Sequence, residues 1–408
     1  MPSPTVTISF DLSANGLGDF FTLDDTTKGV LDQGTYLYAG DVAQDVTGDV
    51  RKISTRRGRS KQLDRFTAGA CTVTLDNRTR KYDPTAGTAQ SPYAGQITPG
   101  KAVTVAVAGQ PVYAGIVQDW NLSYEISGDS TTDAVCADGF SLLAQTVVPV
   151  GTATAQATGA RIGAYLTTLG WPTALRSIGT GQATLLADII KANQNGLQYL
   201  QKVEASEPGA LFIGKDGAMV FRDRLQVQAW NGVTFADDGT GIPFTDLEVE
   251  YGTETLFTST TVTRSNGSAT VGTATSTNAS AQTAYGRTNL SIDTLLSSDA
   301  QASNLSAWLL GKYQQPQYRV RQLKCTLDAL NATQAGQLLD LELADVVKFV
   351  FTPNQVGSPI TQYLIIDSIA HDITPSRHEV TLDVSDTQIA FTLDSAVFGV
   401  LDQNIYGF

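Results

Sequence analysis

A mainly β fold with α+β insertions is what the sequence predicts, and three features carry that reading. Runs of alternating apolar and polar residues recur along most of the chain, and turn residues break them at intervals of roughly eight to 12 residues, the spacing of a sandwich or small barrel. Helical apolar spacing is concentrated in one stretch near residues 160–203. The composition, 42% apolar but only 16% charged, with 37 glycines, suits β surfaces that pack against copies or neighbours. A chain of 408 residues is also long for a single core.

In order, Val6, Ile8 and Phe10 alternate with Thr5, Thr7 and Ser9 as an opening strand. Further on, Val73 and Leu75 alternate with Thr72, Thr74 and Asp76, Asn77 to Tyr82 turns the chain, and Asp83-Pro84 stops it. Val103, Val105 and Val107 follow, then a Gly109-Gln110 turn and two expected strands, Val112 to Val117 and Trp120 to Ile126. Ala134 to Ala137 is a short strand, and Phe140 to Thr146 a short helix. A first β domain is therefore expected over 1–150.

The next stretch changes period. Ile162, Tyr165, Leu166 and Leu169 are spaced as a helix that Gly170 and Pro172 end. Leu185, Leu186, Ile189 and Ile190 read as a second helical stripe, continued by Leu197, Leu200 and Val203 after Gly196, which breaks or kinks the helix. Gly214 to Gly217 between two apolar runs predicts a hairpin. The expectation is a small α/β module over 151–230 and a second β domain over 231–390. Within the latter, Ser265 to Ala284 is almost wholly Ser, Thr, Ala, Gly and Asn, which predicts an exposed loop or hairpin ordered, if at all, by a neighbour. Ser298 with Gln301 resembles a capping box before Leu305, Trp308 and Leu309, and a second helix starts at Asn331 with Ala335, Leu338 and Leu339 inward. Strands are expected at Asp345 to Phe351, Tyr363 to His371 and Arg377 to Val384.

Charge is distributed unevenly. Between Arg51 and Lys81 lie ten bases (Arg51, Lys52, Arg56, Arg57, Arg59, Lys61, Arg65, Arg78, Arg80 and Lys81) and two acids, a local charge of +8 in a chain of net −13. The remainder carries −21. The Arg56 to Arg59 segment reads as a basic loop, within a basic stretch 51–65, that is either an interaction loop or a solvated one. Nucleic acid is the weaker partner class, because the acidic remainder repels phosphate.

A repeat marks both ends. FTLDDTTKGVLDQGTY (Phe21 to Tyr36) and FTLDSAVFGVLDQNIY (Phe391 to Tyr406) agree at ten of 16 positions. Either a duplicated fold kept one loop, or these are two docking segments whose Phe21, Leu23, Val30, Leu31 and Phe391, Leu393, Val400, Leu401, Tyr406 enter grooves on a partner. The terminal segment 391–408 is set apart on that basis.

Catalytic inventories are poor. No GxGxxG, GxxxxGK[ST] or GxSxG motif occurs. His371 and His378 are expected near each other across a strand connection, as structural histidines. Glu204 and Glu207 are expected on the solvated face of a helix end, and Asp237-Asp238-Gly239 as a turn. Cys71, Cys136 and Cys325 read as isolated, buried, reduced thiols. No apolar run reaches the roughly 18 residues of a membrane span, and no signal peptide opens the chain, so the expectation is a soluble, cytoplasmically made protein with no cofactor and no metal.

Several stretches together resemble the tail-tip hub proteins of siphophages, especially minor tail proteins of actinobacteriophages and the N-terminal hub part of tail-associated lysins. They are RRGR at Arg56 to Arg59 with FTAGACTVTLDNRTRKYDP (Phe66 to Pro84), YLQKVEASEPGALFIGKDGAMVFRDR (Tyr199 to Arg224), YGR at Tyr285 to Arg287, Pro316 to Val320, and LELADVVKF followed by ITQYLIIDSIAHDITPSRHEVTLDVSD. The resemblance implies two tube-like β-barrels per subunit and a homotrimer that caps the tail tube at the virion's tail tip. It implies contacts with a distal tail protein, a tape measure protein and fibre proteins, and an acidic channel for DNA exit. No fibre or peptidoglycan-cleaving extension follows at Phe408, so no lytic activity is expected. The Arg56–Arg59 loop is expected to face a neighbouring subunit or the distal tail protein, not the channel. Alternatives are a hexameric distal tail protein, a glycan-binding receptor protein or a cell-wall hydrolase.

Overall fold

The computed structural model describes residues 4–10, 42–147, 149–191 and 194–387. Seven strands come first: β1 (Pro4–Phe10), β2 (Val42–Asp45), β3 (Val50–Gly58), β4 (Thr67–Asp76), β5 (Ala102–Val107), β6 (Gln110–Tyr124) and β7 (Ser130–Ala137), then α1 (Gly139–Gln145). Short elements follow: β8 (Gly151–Ala153), β9 (Gln156–Ala157), α2 (Thr158–Thr168), β10 (Arg176–Ile178), β11 (Thr184–Leu185), β12 (Asp188–Ile190), α3 (Gly196–Glu204), β13 (Ala210–Ile213) and β14 (Met219–Arg222). The remainder comprises β15 (Trp230–Ala236), β16 (Asp246–Tyr251), β17 (Ser259–Ser265), β18 (Thr270–Thr277), α4 (Ala279–Tyr285), β19 (Asn289–Thr294), α5 (Asp299–Tyr313), β20 (Tyr318–Thr326), α6 (Ala332–Asp340), β21 (Val346–Phe351), β22 (Ile360–Thr374) and β23 (Arg377–Thr387). The chain is mainly β, with helices inserted between strands.

One 13-stranded sheet dominates, in the order β16-β20-β23-β22-β3-β4-β7-β6-β5-β1-β2, with β21 on β22 and β15 on β21. Strand β22 is where the early and late strands join. Its first part, Ile360 to Ile365, pairs with β21, and its second, Ser368 to Ile373, pairs with β3. Register against β23 shifts between Ile366 and Ser368, so Asp367 sits at a bulge where the strand changes partner. Gly58 closes onto that bulge with φ +119°, and a Cβ there would stand 2.2 Å from the Asp367 carbonyl oxygen, which is why the position requires glycine.

The alternating apolar residues face inward. Val6, Ile8 and Phe10 on β1, Cys71, Val73 and Leu75 on β4, and Val380, Leu382 and Val384 on β23 are all buried in one cluster that also takes in the small middle elements. A smaller cluster under α5 contains Val262, Leu296, Ala302, Leu305, Leu309 and Tyr313. Helix α6 is capped by Asn331 in a full capping box with Gln334, and Ser298 caps α5 by accepting from the Gln301 amide.

Four local expectations are corrected. Leu185 to Ile190 is not helical but forms the short strands β11 and β12, with Asp188 and Ile190 buried and Ile189 exposed, a period of two. Gly196 opens α3 rather than breaking or kinking a longer helix. The two strands expected between Val112 and Ile126 are one strand, β6, with a register shift between Val117 and Asp119. The polar run 265–284 is a hairpin edge and helix ordered by its own chain: β17 and β18 pair from Ser259↔Thr277 to Ser265↔Thr270, and α5 holds them through Thr260 Oγ1 donating to the Ser306 carbonyl at 2.7 Å.

Candidate functional site

The basic stretch is the part of the sequence with the clearest claim to function, and the structure changes its meaning. Arg56 and Arg57 are not in a loop. Both lie in β3, and only residues 59–66 make the turn to β4. Strand alternation sends their side chains to opposite faces. Arg56 is half exposed and reaches Asp383 on β23 at 2.6 Å. Arg57 is buried, 3% exposed, and its Nη1 donates to Glu342 Oε1 at 2.8 Å and to the Ile213 carbonyl at 3.2 Å. One guanidinium thus ties β3 to β13 and to the turn after α6. Glu342 in turn accepts from the backbone N–H of Lys215 and of Leu343.

Arg59 does the same at the bulge. Its Nε donates to Asp367 Oδ1 at 2.7 Å, its guanidinium lies 4.7 Å from the centroid of the Phe66 ring, and Ser385 donates its hydroxyl to the other Asp367 oxygen. Lys52 meets Asp372 on β22, and Lys61 meets Glu254. Arg51, Arg78, Arg80 and Lys81 pair with Asp76, Asp129, Asp83 and Asp49 within the first half. Nine of the ten bases therefore have an acidic partner in their own chain, and Arg65 alone has no ion pair among the described residues. The expected free cationic loop is a seam between early and late strands, because acids distant in sequence fold back onto it. The other expected interface residues, Phe21, Leu23, Val30, Leu31, Phe391, Leu393, Val400, Leu401 and Tyr406, lie outside the described residues.

Beside the seam is a cavity of about 310 Å³, bounded by the 59–65 turn, the end of α3, β19 and α5. Leu63, Leu290, Ile292, Leu305, Trp308 and Leu309 give it an apolar wall. Glu204 stands in it, buried rather than solvated as expected, and burial pushes its carboxyl up to about 7 against the pull of Arg59 and Arg65. Glu207 is also buried, 1% exposed, and accepts from the backbone N–H groups of Gln182, Ala183 and Arg224, a structural lock for the middle module. Lys312 lines the opposite side, its ammonium 5.3 Å from the Trp308 ring centroid and 5.7 Å from that of Tyr313. Burial, then the nearby Arg59, brings it down to about 8. Asp386, pushed up to about 6 by burial, completes the cluster.

The histidines stand together as expected: His371 Nδ1 and His378 Nε2 are 3.0 Å apart in the β22–β23 hairpin, and the His378 amide donates to Asp328. Burial holds both rings below their ordinary value, His378 at about 4. Among the described residues no three His, Cys, Asp or Glu side chains are grouped to hold a metal, and no helix is long and apolar enough to cross a membrane. All three cysteines are buried and unbridged, but they are not all isolated: Cys71 and Cys136 are directly opposite on β4 and β7.

No sequence signal found Glu342 or Lys312, and Glu204 was marked only as a solvated residue of a helix end. Asp367 had one, a carboxylate following Leu364-Ile365-Ile366 inside an apolar strand, where a charge is retained only with a partner.

No family model matches the chain, and no curated protein matches it in sequence. Its fold nevertheless has solved counterparts. The 43 kDa tail protein of prophage MuSo2 from Shewanella oneidensis is similar with a TM-score of 0.57 at 14% identity, over 94% of this chain and 96% of that one. The tail protein from Neisseria meningitidis MC58 is similar with a TM-score of 0.59 at 9% identity, over 95% and 98%. This chain has the fold of these tail proteins across nearly its whole length.

Proposed function

We propose that the chain is a structural protein of a phage-type tail, and that it forms the hub closing the distal end of the tail tube. The observation that carries this reading is the end-to-end likeness to two proteins described as tail proteins, with almost nothing of either chain left over. In this role three copies surround a channel, meeting a distal tail protein on one side and tape measure or fibre proteins on the others.

The charge arrangement supports it. With nine bases neutralised inside the chain, the net −13 is carried by surplus acids, and a wall of that sign lets DNA pass without adhering. Arg65, with the exposed flanks of Arg56 and Lys61, is the part of the basic stretch left for contact with a neighbour.

Native mass measurement of the purified chain, alone and with its tail neighbours, tests the reading. Three copies, and antibody labelling at the tail tip of intact particles, are expected. Six copies would assign it instead to the distal tail ring. A stable monomer that cleaves cell wall or binds glycans tightly would overturn the structural role.

A further inference from the structure

The buried face of the large sheet holds two nucleophilic groups that have no part in the seam or the cavity. Cys71 on β4 and Cys136 on β7 are direct partners in an antiparallel ladder, and both belong to the main core. Two positions along the same ladder the Asp138 amide donates to the Gly69 carbonyl, so alternation makes Cys71 and Cys136 a hydrogen-bonded pair as well. The Cα atoms of such a pair stand about 5.5 Å apart, inside the span of roughly 4.4 to 6.8 Å that a disulfide bridges. Both side chains leave the same face of the sheet.

The thiols also meet. A hydrogen bond to Cys136, together with burial, raises the Cys71 thiol well above its ordinary value. Cys325 differs in having no thiol opposite: it is buried on β20 across from Val380, and β23, β22 and β3 separate its strand from β4. A buried thiol is inert, because the nucleophile is the thiolate and an oxidant must reach it. Opening of the β4–β7 ladder, or the interval before it closes in folding, exposes Cys71 and Cys136 together.

We propose that Cys71 and Cys136 form a redox-sensitive staple, a dithiol under reducing conditions and a disulfide under oxidising ones, which joins β4 to β7 without a change of register. The oxidant is a low-molecular-weight disulfide. The Cys71 thiolate attacks one of its sulfurs and expels the other as a thiolate, and the Cys136 thiolate then attacks the Cys71 sulfur and expels the second. Two electrons thus reduce the oxidant to two thiols, and the two protons lost by the cysteines go to them. The bond closes the chain between positions 71 and 136 into a loop that contains β5 and β6, and it sits one strand from β3, where the early strands meet β22. It removes the states in which β7 parts from β4. This inference stands apart from the hub reading, since it concerns contacts within one molecule.

The test equilibrates the full chain in graded mixtures of oxidised and reduced glutathione, with enough urea to open the ladder transiently. Free thiols are then blocked with iodoacetamide and the peptides mapped by mass spectrometry. A linked Cys71–Cys136 peptide pair is expected as the oxidised share rises, at least tenfold more abundant than any link to Cys325, and dithiothreitol should reverse it. After removal of urea and glutathione, the linked chain should melt about 2 to 5 °C above the reduced one in the same buffer. Cys71 and Cys136 alkylated at every ratio would overturn the proposal, as would links to Cys325 in equal amount. A linked chain that melts below the reduced one would overturn it too, because the bond would then oppose the register.

Discussion

Arg57 and Glu342 are 285 residues apart in sequence and 2.8 Å apart in the fold, and their pair is the buried point at which β3, β13 and the turn after α6 meet. Removing one partner of a buried pair costs more than the pair contributes, because the other charge stays buried alone. Glu342→Gln is therefore expected to destabilise the chain by about 3 kcal/mol in urea unfolding, whereas Lys61→Ala, which breaks the exposed pair with Glu254, should cost less than about 1 kcal/mol. Equal effects would contradict the distinction between seam and surface.

Gly58 gives a sharper test of the bulge. A methyl group there meets the Asp367 carbonyl oxygen at 2.2 Å and the Ser368 Cα at 2.6 Å, both backbone atoms, and φ of +119° disfavours any side chain. Gly58→Ala should lower stability by roughly 3 kcal/mol or more, and Gly48→Ala, where nothing lies within 4 Å, should be close to neutral. Melting temperatures of the two variants make the comparison.

Glu204 sets a pH dependence with a definite sign. Its folded carboxyl titrates at about 7 against 4.5 for the free group, so the folded state binds the extra proton, and stability falls as pH rises between those values. Glu204→Gln removes that loss. The variant should match the parent near pH 4.5 and exceed it by on the order of 2 kcal/mol at pH 8. Parallel stability curves across this range would show that the carboxylate is not held against its preference.

The histidine pair acts in the opposite direction. Both rings titrate below 6.5 in the fold, so their neutral packing contributes fully above that pH and is lost as pH falls toward about 4. Proton NMR of the two imidazoles should show neither charged at pH 5.5. A ring titrating near 6.5 would place it in solvent.

Much of the local structure was legible because its causes are local. The capping box at Asn331, the hairpin at Gly214 to Gly217 and the alternation in β1, β4 and β23 depend on neighbours within a few residues. The middle module was harder: Leu185 to Ile190 satisfies a helical stripe as well as two short strands, and only its pairing with β8 and β9 decides. The candidate site was legible in composition but not in state. Ten bases in 31 residues could be counted, yet Arg56, Arg57 and Arg59 take their acids from Asp383, Glu342 and Asp367, which no short window of sequence brings together with them, while only Arg78 and Arg80 have theirs, Asp76 and Asp83, close by in the chain. Glu204 and Glu207 failed for the same reason, since burial at the end of α3 is conferred by β19 and by the 59–65 turn.

A change of partner midway along β22 has a mechanical consequence. Because one uninterrupted backbone is shared by the β21 and β3 ladders, a pull applied to the late strands reaches the early ones through covalent bonds as well as side-chain contacts, and the two cannot slide past each other without first rupturing the Asp367 kink. Tension applied across the sheet would thus be transmitted through this molecule as through a continuous beam.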